Sequence, residues 1–210
     1  EPDAAMGFCL FNNVAVAAAE VVASGLGRAA IVDFDAHHGN GTQAIFWNTP
    51  DVGYLSTHEG NIYPGSGRWD SAGHARGRIV NIPLPPFAGN QAFEKIYQQV
   101  IHPWLVRFQP EMILVSAGFD AHFSDPLTTL TLDTLGYYKL TRNLITSADL
   151  LCEGRLMFVL EGGYEPLALA DNTRACLAAM AGHDDFPDHY GKGPGVHRDI
   201  TSLIGQLRKY

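Results

Sequence analysis

The 210-residue sequence predicts an α/β fold, three layers of helix, mostly parallel sheet and helix, in one domain over 1–210. Short, near-continuous apolar runs recur at Ala29-Ala30-Ile31-Val32, Met112-Ile113-Leu114-Val115 and Leu156–Leu160. Strands with no polar face must be covered on both sides, the condition of a parallel sheet. The runs alternate with longer segments whose apolar residues repeat at helical spacing. With 46% hydrophobic residues the chain can bury a sizeable core.

Asn12 or Asn13 can cap a helix to about Ser24, stopped by Gly25 and Gly27. Arg28–Phe34 then reads as a buried strand. Further strands are predicted at Val52–Ser56 and at Arg78–Ile82, the latter closed by Pro83. The long Glu59–Gly77 loop between them is rich in Gly, Ser, His, Arg and aromatic residues, a composition suited to lining a site. Phe93, Ile96, Tyr97, Val100, Ile101, Trp104 and Leu105 form one helical face starting near Asn90, with a kink expected at Pro103 and an end at Pro110. A strand at Met112–Ser116 follows, then a helix of roughly Asp133–Leu151, the Leu156–Leu160 strand, a helix at about Leu167–Ala181 and a last one at Asp199–Leu207.

Chemistry-bearing residues cluster where strands end, which is where open parallel sheets bind ligands. Asp33-Phe34-Asp35-Ala36-His37-His38-Gly39-Asn40-Gly41 follows the first apolar run, and Asp120-Ala121-His122 follows Met112–Ser116. Asp35 and His37 are expected to point the same way and, with Asp120, to bind one ion. Two carboxylates and an imidazole suit Zn²⁺ or Fe²⁺ and leave coordination positions open, as catalytic sites do. Singly, each motif reads equally well as a loop cap with core histidines; occurring together at two strand ends they favour the metal. Asp33 is expected to point away from Asp35, orienting an imidazole or holding a second, hard cation through oxygen, to which Ser56-Thr57-His58 could add a hydroxyl and a carbonyl. In Glu161-Gly162-Gly163-Tyr164 the glycines allow a turn that carries Tyr164 over the strand ends, as an oxyanion donor or as an aromatic plug.

The formal net charge of -8 and the lack of a Lys/Arg cluster argue against direct nucleic-acid or anionic-lipid partners. No run approaches the ~20 apolar residues of a membrane span, and Glu1-Pro2-Asp3 lacks the basic region of a cleavable signal. Cys9, Cys152 and Cys176 read as buried thiols of a reducing, intracellular compartment, cytoplasmic in the simplest case.

Five motifs in order, Gly7-Phe8-Cys9, Asp33 to Gly41, Tyr63-Pro64-Gly65-Ser66-Gly67, Ser116 to His122, and Glu161 to Tyr164, make residues 7–182 resemble the zinc-dependent histone deacetylase family. Gly39-Asn40-Gly41 and the Ser116 to His122 string look like the class II branch and its bacterial amidohydrolase relatives, with 183–210 as a carboxyl-terminal extension. The resemblance implies an arginase/deacetylase-like fold and a zinc ion on Asp35, His37 and Asp120. It implies that Tyr164 donates to the oxyanion, and that Gly7, Phe8 and Tyr63 line the acyl-lysine channel. Asp33 would orient a catalytic histidine and join Asp35, His37, Ser56 and Thr57 around a monovalent cation such as K⁺, with a second held near Phe46, Thr49 and Val52. The family carries tandem histidines in a Pro-Gly-His-His stretch just upstream of the position matching Glu1. The chain is therefore expected to be the carboxyl-terminal portion of the domain, impaired alone, with a homo-oligomer or a second chain as partner. Acetylated protein or a small acetylated amine is the implied substrate. The competing readings are a non-catalytic acyl-lysine binder or assembly subunit, and an arginase-type ureohydrolase, whose two metals Gly39 and His122 leave short of ligands.

Overall fold

The computed structural model describes residue 1 and residues 3–208. Strands β1 (Ala29–Asp33), β2 (Val52–Glu59), β3 (Ile79–Leu84), β4 (Met112–Ala117) and β5 (Leu156–Leu160) form a sheet of order β3-β2-β1-β4-β5. Every ladder in it is parallel. The chain runs outward from β1 to β3 and then returns to lay β4 on the other side of β1. The ends of β1 and β4 therefore flank the point where the winding reverses, the crevice in which such sheets bind ligands.

Both faces of the sheet are covered over its centre, whereas the edge strand β5, expected to be buried, leaves Met157 and Leu160 exposed. Helices α1 (Asn13–Ala23) and α2 (Asn40–Ile45) lie on one face, where Val14, Ala18 and Val21 join Ile31, Tyr54 and Leu114 in one buried cluster. On the other, α3 (Asn90–Ile96), α4 (His102–Phe108), α5 (Thr134–Cys152) and α7 (Thr201–Leu207) bury Ile96, Leu105, Leu144 and Ile204 with Val32, Leu55 and Val115. Helix α6 (Pro166–Ala181) lies against α5. Local chemistry fixes the helix starts: Asn12 Oδ1 accepts from the Ala15 N–H at 2.9 Å, and the Asp133 carboxylate accepts from Gly136 at 2.9 Å.

Several elements depart from expectation. Strand β3 continues through Pro83 to Leu84, because β3 is an edge strand and proline's missing N–H is not needed on the open side. Strand β2 extends three residues past Ser56; its last residue, Glu59, is buried with its carboxylate accepting from the Thr129 N–H and hydroxyl at 2.7 and 2.5 Å. Gly39 precedes and Asn40-Gly41 begin α2, a short helix absent from the expected elements. At Pro103 there is no N–H to continue the α ladder, and one π turn, Tyr97–Ile101, separates α3 from α4. Cys152 and Cys176 are buried free thiols, whereas Cys9 is exposed.

The carboxyl-terminal extension is tied down: the His189 and Gly193 N–H groups donate to Asp171 and Asp133 at 2.8 and 3.1 Å. Ile200, Ile204 and Leu207 join the core. Among the described residues, no helix is long and apolar enough to cross a membrane.

Candidate metal centre

Parallel pairing sets Asp33 level with Ser116, so the segments leaving β1 and β4 emerge side by side. This brings Asp35, His37 and Asp120 together, with one ligand atom from each lying within 4.8 Å of the others. His37 Nδ1 is 2.7 Å from Asp120 Oδ2 and 3.3 Å from Asp35 Oδ1. Backbone donors fix the carboxylates. Asp120 Oδ1 accepts from the Ala36 N–H at 2.8 Å, Asp35 Oδ2 from Gly162 at 3.2 Å, and Asp35 Oδ1 from His37 at 2.8 Å. Donors of this kind preset ligand orientation.

The surrounding glycines are demanded by space. A Cβ at Gly118 would lie 2.0 Å from Asp35 Oδ2, and one at Gly162 would lie 2.7 Å from the same oxygen.

Electrostatics mark the centre as short of positive charge. Burial works against the His37 cation, yet its contacts with Asp120 and Asp35 prevail and raise its pKa to about 10. Burial, reinforced by the Asp35 charge, raises Asp120 to about 7 against the pull of His37. Asp33 is raised well above the carboxylate range by burial and by Glu161 and Asp35, with the Tyr54 hydrogen bond opposing. Acidic groups crowded around one imidazole suit a divalent cation, and the oxygen and nitrogen donors suit zinc with positions left open. Cys9 is not in this group; partial burial and the Glu161 and Asp35 charges raise its thiol.

Asp33 stands apart from the ligands. Its Oδ2 accepts from the Tyr54 hydroxyl at 2.7 Å and its Oδ1 from the Asp35 N–H at 3.0 Å. Strand alternation does not produce this separation, because residues 33 and 35 on one strand would share a face. β1 ends at Asp33, and Asp35 follows outside it. His38 bridges Ser66 Oγ and Gln43 Oε1 at 2.8 and 3.1 Å, and burial lowers its pKa.

Above the ligands stand Phe8, Tyr63 and Tyr164. Tyr164 meets Phe8 edge-on, with ring centroids 5.9 Å apart, and Tyr63 faces the His37 ring at 6.4 Å. The Gly7 N–H donates to the Tyr63 hydroxyl at 3.1 Å, joining the two walls. Phe8 is 88% exposed and Tyr63 53%, so aromatic surface here is open to a ligand. Burial and the Asp120 and Asp35 charges push the Tyr164 phenol up to about 12. The turn bearing it is held by Asp125, whose carboxylate accepts from the Tyr164 N–H at 2.8 Å and from Leu127 at 2.9 Å. Asp125 leaves little signal in the sequence: an acid before Pro126, five residues past Asp120.

The two implied monovalent-cation sites differ. At the first, Asp33 and Ser56 are register partners, the Thr57 hydroxyl donates to the Asp33 carbonyl at 3.2 Å, and Ser56 Oγ pairs with His58 Nδ1 at 2.9 Å. At the second, the Phe46 and Val52 carbonyls both accept from Arg78 Nη1 at 2.8 Å. The Thr49 carbonyl accepts from the Val52 N–H at 3.3 Å. A guanidinium stands where a free ion was expected.

Comparison with known proteins identifies the family of the chain. The family model of the histone deacetylase domain matches residues 1–180. Histone deacetylase 14, chloroplastic, of Arabidopsis thaliana is 41% identical over 192 residues, covering 90% of this chain and 45% of that protein. A probable deacetylase of Archaeoglobus fulgidus is 42% identical over 187 residues, covering 88% and 52%. The chain thus spans about half the length of these curated relatives. Among solved structures, the HDA15 HD domain superposes with a TM-score of 0.76 at 38% identity, covering 85% of this chain and 53% of that one. The histone deacetylase Clr3 superposes with a TM-score of 0.82 at 31% identity, covering 95% and 34%.

Proposed function

This chain belongs to the histone deacetylase domain family, and from that premise we propose that it hydrolyses an acetyl amide, with zinc held by Asp35, His37 and Asp120. The substrate on this reading is acetyl-lysine of a protein or a small acetylated amine. The observation that carries it is the convergence of three nitrogen and oxygen donors at neighbouring strand ends, beneath Tyr164 and two exposed aromatic walls.

Zinc, when bound, supplies Lewis acidity that polarises a carbonyl and lowers the pKa of water. The chain's own residues do the rest of what is assigned here. Phe8 and Tyr63 take the apolar stem of the acylated amine between their rings. Tyr164, whose phenol stays protonated at neutral pH, donates a hydrogen bond to the oxygen that gains charge as the amide carbon becomes tetrahedral. Asp125 keeps the Tyr164 backbone in place for that bond. Asp33, with one carboxylate oxygen on Tyr54 and the other on the Asp35 N–H, is suited to orient an imidazole. Proton acceptance from water is the task left over. His38, His58 and His122 are engaged with Ser66 and Gln43, with Ser56 and Gly67, and with Ser124. Potassium at the oxygens of Asp33, Ser56 and Thr57 belongs to the same reading, supported by the β1–β2 register.

The test is turnover of an acetyl-lysine peptide and of an acetylated polyamine by the zinc-loaded protein. Hydrolysis that depends on both zinc and Tyr164 is expected. A rate unchanged in Tyr164→Phe or in excess chelator would overturn the reading.

A further inference from the structure

We propose that the Arg78 guanidinium is the resident cation of the carbonyl cluster beyond the end of α2, making that part of the fold independent of a free monovalent ion. Three carbonyls converge there, and the residues closing a short helix have no intrahelical donors left for them. Arg78, one residue before β3, meets all three. Its Nη1 is 2.8 Å from the Phe46 and Val52 oxygens, and its Nη2 is 2.8 Å from the Trp47 oxygen. The planar fork of a guanidinium suits such divergent acceptors, and an ionised donor makes each bond stronger than a neutral one.

The rest of the cluster is also satisfied from within the protein. The Thr49 carbonyl accepts from Val52 N–H, and the Phe46 carbonyl takes a second donor, Thr49 N–H, at 3.1 Å. Among the described residues Arg78 has no carboxylate within ion-pair distance. Partial burial lowers its pKa. A partly buried cation with carbonyls as its acceptors and no acid to neutralise it plays the part of a coordinated ion, except that it cannot dissociate. The cluster joins the segment after α2 to the start of β3, and α2 itself follows directly on the His37 loop. Arg78 thereby fixes the far end of the ligand-bearing segment at any potassium concentration.

The first measurement is anomalous scattering from wild-type crystals soaked in rubidium chloride. No rubidium is expected in contact with the Phe46, Trp47 and Val52 carbonyls; rubidium there would overturn the proposal. The second compares wild type with Arg78→Ala by thermal unfolding in potassium chloride and in choline chloride of equal concentration. Arg78→Ala is expected to lose roughly 5 °C or more in choline chloride, to regain part of it in potassium beyond any response of the wild type, and to acquire rubidium at the vacated carbonyls. An Arg78→Ala chain with wild-type stability and no added potassium response would equally overturn it. If Arg78→Ala does not fold, Arg78→Lys, which keeps the charge but loses the fork, is expected to melt below wild type, and the wild-type soak decides without any variant.

Discussion

Gly118→Ala adds one methyl group at the tightest point of the metal centre, and the structure sets the size of its effect. The new carbon would lie 2.0 Å from Asp35 Oδ2, 2.4 Å from its Cγ and 2.6 Å from its Cβ. Optimal non-bonded separation is about 3.5 Å or more, so the nearest oxygen must move by roughly 1.5 Å. Rotating the carboxylate does not relieve the clash, because the Asp35 Cβ is itself too close. The backbone of residue 35 or 118 has to shift. Metal–ligand distances tolerate about 0.2 Å, so Asp35 ceases to be a ligand as placed. Loss of properly held outer support alone typically lowers metal affinity ~10–100-fold, and a displaced ligand should reach at least the upper end, about 3 kcal/mol of binding free energy. Overpacking should cost the fold about 1–3 kcal/mol besides. Competition titration against a chromophoric zinc chelator measures the first quantity and urea unfolding of the metal-free protein the second. A zinc affinity within about twofold of wild type, in a folded Gly118→Ala chain, would refute the placement of Asp35 against Gly118.

Asp120→Ala removes a ligand and the acceptor of the Ala36 N–H, so tight zinc binding should disappear and metal-free stability fall by about 1–3 kcal/mol; one zinc per chain by elemental analysis would contradict this. Asp125→Ala should leave zinc content unchanged while weakening a hydroxamate ligand ~10-fold or more, because Tyr164 loses its backbone anchor; isothermal titration separates the two. His58 gives a pH dependence. Burial, helped by His38, lowers its folded-state pKa to about 3, below the unfolded value, so its neutral form stabilises the fold fully above about pH 6.5 and that stability is lost as pH falls toward 3. The loss is of order 4 kcal/mol, and His58→Gln should flatten the stability profile across that window; an unchanged slope would show that other groups control it.

What the sequence reveals and what it hides divide by range. Ala29–Val32 and Met112–Val115 announce buried strands because every residue in them needs cover, and the sheet provides it on both faces. Asp35, His37 and Asp120 are legible because parallel pairing in register forces the ends of β1 and β4 together. The separation of Asp33 from Asp35 is not, since it depends on where β1 stops rather than on its period. Pro83 reads as a terminator until β3 is known to be an edge strand. Asp125 acts through the backbone of a residue 39 positions away, and Arg78 through carbonyls 26 to 32 positions away, so neither leaves a local pattern.

X-ray absorption at the zinc edge of the zinc-loaded protein tests the central assignment most directly. One zinc per chain is expected, with nitrogen and oxygen neighbours at about 2.0–2.2 Å and no sulfur. A sulfur neighbour near 2.3 Å, or two metals about 3.5–4 Å apart, would contradict it.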